Sequence, residues 1–355
     1  MKKLGYSTLT TPKPVARDWI ILLDESIQLG PGKLLVIWSI RASMVDIHRP
    51  LRYQDLEPLW ISASAHWNGL FIRDILERLD GSLGHIVYAI GDYGSDLKKG
   101  LRLAGIPHIH DVTHRIAFLL KALYAKDPAY QDISRRLAQI RCQFGQTAAA
   151  HLLPPNQRTK SRYHNLQPLA VYGQHILAYL ASDPAVAPDE QPFRDAMTWM
   201  LPYRAFFEEM HEVTTLVEII ERQVKHNGLS PETVAHCCQA LTPVSTEKGR
   251  CFTCDMLVYM HTMLTRTNVK QAIVCTSDIL ESAFGKYKNY VSRNPMAGIT
   301  DLALYLAAFT STLSSQEIVE ALEHTTCHDV TRWARIYLGT TLLKKRREAF
   351  SKSPK

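Results

Sequence analysis

The sequence predicts an α/β fold: a mixed sheet early in the chain, followed by a long helical stretch. Three observations predict it. Short apolar runs bounded by turn residues fill the first third, and two of them read as a hairpin. Helical spacing separates the later runs. From about residue 127 to residue 270, strand-like alternation nearly disappears.

Trp19 to Ser26 (WIILLDES) is a short apolar run ending in polar residues, suited to a central strand. LGPG supplies a turn, and KLLVIWSIRAS then reads as the second arm of a hairpin. LEPLWISAS predicts a third strand, with Pro58 confining it to an edge or a strand start. From Ala65 to Leu79, the residues Leu70, Ile72, Ile75, Leu76 and Leu79 recur at helical spacing. His85 to Asp92 (HIVYAIGD) is a further buried strand. A helix through LKKGLRLAG follows, with Gly105 at its end. IPHIHD is a short fifth strand, and VTHRIAFLLKALYA a helix. Three antiparallel strands, a helix, then strand, helix, strand, helix is the element order of an RNase H-like fold. A fully parallel doubly wound sheet competes with it, but the early hairpin speaks against that.

Helical patterns dominate the middle third, including one continuous pattern from FRDAMTWMLPYRAFF to VKHN. This predicts an all-α insertion. QAIVCTSDILESAFGKYKNYV then opens another helix, with Thr276, Ser277 or Asp278 at its N-cap. The expected organisation is an RNase H-like core over 15–126, a helical insertion over 127–270, a core helix over 271–300, and a helical C-terminal extension with a basic tail over 301–355.

Hydrophobic residues at 46% and charged residues at 21% give a globular balance rather than a disordered one. No apolar run reaches the length of about eighteen residues that spans a membrane. MKKLGYSTLTTPKPVARD has two lysines but no apolar region behind them, so it is no secretory signal. A cytoplasmic location is expected. Forty-one basic against thirty-four acidic residues give +7, a mild excess whose sign suits a phosphate-bearing partner. Seven irregularly spaced cysteines argue for reduced thiols. Cys237, Cys238, Cys251 and Cys254, with His236 beside them, leave a structural zinc open, although a single CxxC is a weak signal.

Asp24 ends the first predicted strand and Asp92 the fourth, and in this fold those strands are neighbours. Glu281 lies early in a helix that could bring a third carboxylate. Three converging carboxylates stay ionised only around cations, and oxygen ligands select magnesium or manganese. Two such ions activate a water or a 3′-hydroxyl and stabilise the leaving oxygen of a phosphodiester. Each residue alone reads as a solvated cap; their joint placement carries the case. Asp111 is the runner-up for the second aspartate, and Asp96 a weaker rival.

GDYGSDLKKGL followed by PHIHDVTHRIAFLLK resembles the region after the second aspartate in DDE-type DNA transposases of the hAT-like and Mutator-like kind. Their [C/D]xxH motif reads here as Asp111-Val-Thr-His114. SDILESAFGKYK is similar to the glutamate-bearing helix of bacterial insertion-sequence transposases. The resemblance covers about residues 18 to 345. It implies Asp24, Asp92 and Glu281 as catalytic metal ligands and a structural or orienting role for Asp111 and His114. It also implies magnesium or manganese as cofactor, transposon ends and target DNA as partners, a homodimer, and association with the nucleoid. Lys288, two helical turns after Glu281, would hold DNA phosphate by the same resemblance, or be a plain exposed lysine; Lys286 is expected in solvent. Arg158, Lys160 and Arg162 alternate in a loop beside Tyr163 and could track a DNA backbone, or form a solvated charge run. Trp199 is expected in the core rather than stacked on a base. Lys344 to Arg347 (KKRR) reads as a phosphate contact or a soluble helix end. One departure matters: about seventeen residues precede the first predicted strand, and no helix-turn-helix fits there. Either end recognition lies in the insertion or the C-terminal helices, or the chain is a truncated, non-catalytic DNA-binding derivative. An RNase H-like nuclease that cuts without joining is the remaining alternative.

Overall fold

The computed structural model describes residues 1–29, 32–156, 163, 166–182, 188–241, 243–269, 271–291 and 298–351. Arg158, Lys160 and Arg162 lie outside the described residues. Contacts divide the chain into two units. The first is Met1–Asp111 with Lys225–Ser230 and Met263–Lys355; the second is Val112–Val224 with Pro231–Thr262. The division thus falls before the helix that follows Asp111, whereas the sequence reading kept 15–126 together.

The first unit opens with α1 (Lys2–Thr10), β1 (Ala16–Leu29), β2 (Gly32–Arg41), β3 (Glu57–Ser64), α2 (Gly69–Leu83), β4 (Gly84–Gly91), α3 (Ser95–Leu103) and β5 (His108–His110). Its sheet order is β3-β2-β1-β4-β5. β1 is antiparallel to β2, and β2 to β3, whereas β4 runs parallel to β1 and β5 to β4. This is the RNase H-like arrangement that the element order predicts. β1 and β2 read as unbroken apolar runs because both sheet faces are covered: Trp19 to Leu23 and Leu34 to Trp38 are fully or nearly fully buried. β3 is the edge strand beyond β2, and Pro58 is its second residue, where a missing N–H costs little.

One sheet face packs Trp19, Ile21, Leu23 and Ala89 against Ile72, Leu76, Leu97 and Leu101 of α2 and α3. α2 begins at Gly69 rather than Ala65 because the Asn68 side chain accepts from the amides of Leu70 and Phe71. Leu70, expected on the apolar face, is exposed instead. α3 stops as predicted before Gly105, whose φ of 71° suits a residue without a Cβ.

The second unit holds α4 (Val112–Tyr124), α5 (Pro128–Phe144), α6 (Gln167–Ala181), α7 (Gln191–Met197), most of α8 (Arg204–Asn227), α9 (Pro231–Ala240) and most of α10 (Glu247–Thr265). The pattern read as one helix through Trp199 is broken by a 3-10 stretch at Thr198–Tyr203 containing Pro202, which cannot donate to the helical ladder. Trp199 is half-buried rather than in the core, with the Arg136 guanidinium 5.1 Å over its ring. The Lys248 ammonium bridges Asp127 and Glu209 at 2.7 and 2.6 Å beside the rings of Tyr124 and Phe206. Cys237 is buried on α9, which pushes its thiol up to about 11; Cys238, Cys251 and Cys254 are exposed on α9 and α10.

The first unit closes with α11 (Asp278–Val291), α12 (Leu304–Ala308), α13 (Ser315–His324), α14 (Cys327–Tyr337) and α15 (Leu342–Ser351). α1, which the sequence reading did not anticipate, packs on α12 so closely that a Cβ at Gly5 would stand 2.0 Å from the Leu304 carbonyl oxygen. Lys2 pairs with Asp301 at 2.7 Å at the same contact. No described helix is long and apolar enough to cross a membrane.

Candidate functional site

β1 and β4 run side by side in parallel, with Leu22 opposite Ile90. Asp24 and Asp92 each follow those partners by two residues. Alternation along β1 puts Asp24, like Leu22, on the face away from α2 and α3, whereas Asp92 lies one residue beyond the end of β4. That face is the one α11 covers, because α11 contacts β1 and the Val274 amide just ahead of it donates to the Tyr88 hydroxyl at 3.1 Å. Both aspartates are half-buried. Asp92 Oδ1 also accepts from the Gly94 amide at 2.8 Å, which shapes the turn into α3.

Three fastenings fix the start of α11. Asp111, 1% exposed, accepts the Ser277 amide at 2.5 Å and the Ser277 hydroxyl at 2.8 Å through Oδ2. Its own amide donates to the Gly91 carbonyl at 2.9 Å, so the clamp is tied to the residue before Asp92. Lys225 pairs with Asp278 at 2.7 Å. The third fastening is the Tyr88–Val274 bond. A bridge between Leu229 and Ile273 steadies the approach. Of the three N-cap candidates, Ser277 stands immediately before the first helical residue.

Ser277, Glu281, Phe284 and Lys288 follow at steps of four, three and four, a single stripe of the helix. The clamp on Ser277 therefore sets the azimuth of Glu281, one turn further on. Leu280, Ala283, Phe284, Tyr287 and Val291 supply the buried side, and Glu281 and Lys288 are exposed at its border. Lys286 is exposed, as expected, and its ammonium lies 4.3 Å over the Tyr53 ring, whose hydroxyl donates to Ser282 at 2.9 Å. His114 is half-buried on the first turn of α4, in the helical unit.

Sequence reasoning missed two residues near this edge. Glu25, on the opposite side of β1 from Asp24, has its carboxyl pushed up to about 7 by burial, with Lys33 opposing and Asp96 and Asp92 adding to the rise. His108 is held down to about 4 by burial, opposed by the Gly91 backbone and reinforced by Arg266, whose guanidinium donates to the His108 carbonyl at 2.9 Å. Its ring leans on His110, which stacks on Tyr93 at 4.2 Å. An HIH strand following an aspartate-ended strand was the available signal.

Among the described residues, no group of three or more His, Cys, Asp or Glu side chains is gathered to hold a metal. Asp24, Asp92 and Glu281 are thus not gathered as a triad. The thiols on α9 and α10 form no such group either. The all-oxygen donor set suits a hard divalent cation, with Asp24 on β1 and Asp92 just past the end of the neighbouring β4.

No family model matches the sequence, and no curated protein does. Among solved structures the chain is similar to the Drosophila P element transposase strand transfer complex. The identity is 9%, over 86% of this chain and 84% of that one, with a TM-score of 0.42. A likeness at that level concerns the course of the chain and assigns no activity.

Proposed function

We propose that this chain is the catalytic region of a DDE-type DNA transposase, which cleaves transposon-end DNA and joins the freed 3′-hydroxyl to target DNA. The observation that carries the reading is the placement of Asp24 on β1 and Asp92 just past the end of the neighbouring parallel β4, with α11 against β1, its start clamped and Glu281 one turn further on. Asp24 and Asp92 would hold magnesium or manganese between them, and Glu281 would complete one site. When bound, these ions supply the activated oxygen nucleophile and stabilise the leaving oxygen. Like-charged carboxylates close up only around a cation, so metal binding is expected to draw Glu281 inward. Lys288, on the same stripe, would meet a phosphate oxygen, and Asp111 would act through Ser277 as a positioning residue. Paired ends require two active sites, so a homodimer is the expected working form.

The test is cleavage and strand transfer on end-bearing DNA with manganese. Asp24→Ala, Asp92→Ala and Glu281→Ala should each lower product formation by a thousandfold or more, on the order of 4 kcal/mol of barrier, with DNA binding largely kept. Retained activity in all three would sink the assignment. One observation favours a second reading, a non-cutting DNA-binding derivative: Glu281 is not gathered with the aspartates. Binding without metal-dependent nicking is its signature. Cutting without joining would mark an RNase H-like nuclease using the same residues.

A further inference from the structure

The run Lys344, Lys345, Arg346 and Arg347 has no part in the site described above. All four are exposed on α15, and the only acid on that helix is Glu348, 4.0 Å from Lys344. The sheet topology fixes where this helix starts. β1 ends, β2 begins and β3 ends at one edge, since Leu29 pairs with Gly32, and Lys33 with Ser64. A cleft of about 160 Å³ at that edge is lined by Gly32, Ser64, Thr341, Leu342 and Lys345. Leu342 also packs where a Cβ on Gly298 would stand, 3.0 Å away. Asp24 is level with Val36 and Ile61, three residues short of Ser64 and two strands across. Strand spacing and rise then put the start of α15 roughly 15 Å from Asp24, about four base pairs of duplex.

We infer that α15 is a DNA-backbone contact, holding duplex phosphates on the sheet edge that carries Asp24 and Asp92; the inference rests on the reading of that edge as a DNA site. Charge complementarity selects the occupant. Successive helical residues turn by about 100°, so the four cations wrap most of the helix instead of forming one polar face. The exposed apolar residues are Leu343 and Phe350, and the Arg346 guanidinium covers the Phe350 ring at 5.5 Å. A membrane-surface helix needs a wide apolar face, whereas a phosphate backbone needs reachable positive charge.

The experiment measures binding of the full chain to a short labelled duplex in EDTA, over a range of KCl concentrations. A variant combining Lys344→Gln, Lys345→Gln, Arg346→Gln and Arg347→Gln should flatten the slope of log affinity against log salt by about 2 to 3.5, ~0.9 per lost contact, and weaken binding about tenfold or more. Arg346→Lys with Arg347→Lys, which keeps the charge, should leave the slope unchanged. An unchanged slope in a quadruple variant with native circular dichroism would overturn the inference. So would a variant that loses binding to phosphatidylserine vesicles while keeping its duplex affinity. Binding in EDTA does not depend on cleavage, so a reduced slope in a chain that never cuts would uphold this contact and sink only the catalytic reading.

Discussion

Replacing Asp111 with alanine strips a buried amide and hydroxyl, both on Ser277, of their acceptor. Loss of a charged, buried acceptor costs about 2–3 kcal/mol, which urea denaturation of Asp111→Ala should register. Asp111→Asn keeps an acceptor oxygen and should retain most of that stability, and with it DNA cleavage. Stability kept and cleavage lost would instead move Asp111 among the metal ligands. Glu212 offers a pH test in the helical unit. Burial would raise its carboxyl, but hydrogen bonds from Ser245 and Thr246 hold it down to about 2, against an ordinary 4.5. Its contribution is therefore complete above pH 4.5 and lost as pH falls from 4.5 towards 2. Glu212→Gln should lower the thermal midpoint at pH 7 by a few degrees, on the order of 1 kcal/mol, and flatten the acid profile across that window. A profile as steep as the parent's would show that another carboxylate governs it.

Two glycines separate close packing from plain flexibility among the elements. A Cβ at Gly100 of α3 would stand 2.5 Å from Ile72 of α2, so Gly100→Ala should destabilise by about 1–3 kcal/mol through forced separation of the helices. Gly285 of α11 has nothing within 4 Å of its missing Cβ. Gly285→Ala should stabilise by about 0.5–1 kcal/mol in chemical denaturation, through helix propensity alone. The strands were legible in sequence because apolar runs and turn residues are local signals, as with WIILLDES and the LGPG turn. α1 was not, since its burial depends on α12, some three hundred residues away in sequence. The break at Pro202 was visible in the letters, but the surrounding periodicity outweighed it. Asp24 reads in sequence as the end of its strand, but β1 runs on to Leu29 because its residues keep pairing with β2; the fastening of α11 by Tyr88, Asp111 and Lys225 was not legible either, because each partner is remote along the chain.

At the scale of the whole molecule, the sheet unit is assembled from chain segments on either side of the helical one. Asp111 and Ser277 are 166 positions apart, Tyr88 and Val274 186. Contacts of such separation form late, because closing the loop costs entropy before the contact repays it. In pulse-labelled hydrogen exchange during refolding, the β1–β2 amides should be protected before those of Val274 and Ser277. Simultaneous protection would show that the clamp belongs to the folding nucleus. The same separation sets a clock on the ribosome. Glu281 is synthesised 189 residues after Asp92, a delay of about 10–40 s at 5–20 residues per second. Throughout that interval the nascent chain bears Asp24 and Asp92 without the helix that carries Glu281. On the proposed transposase reading, the chain would thus leave the ribosome disarmed until α11 emerges, and chains abandoned before that point would be harmless to the genome that encodes them.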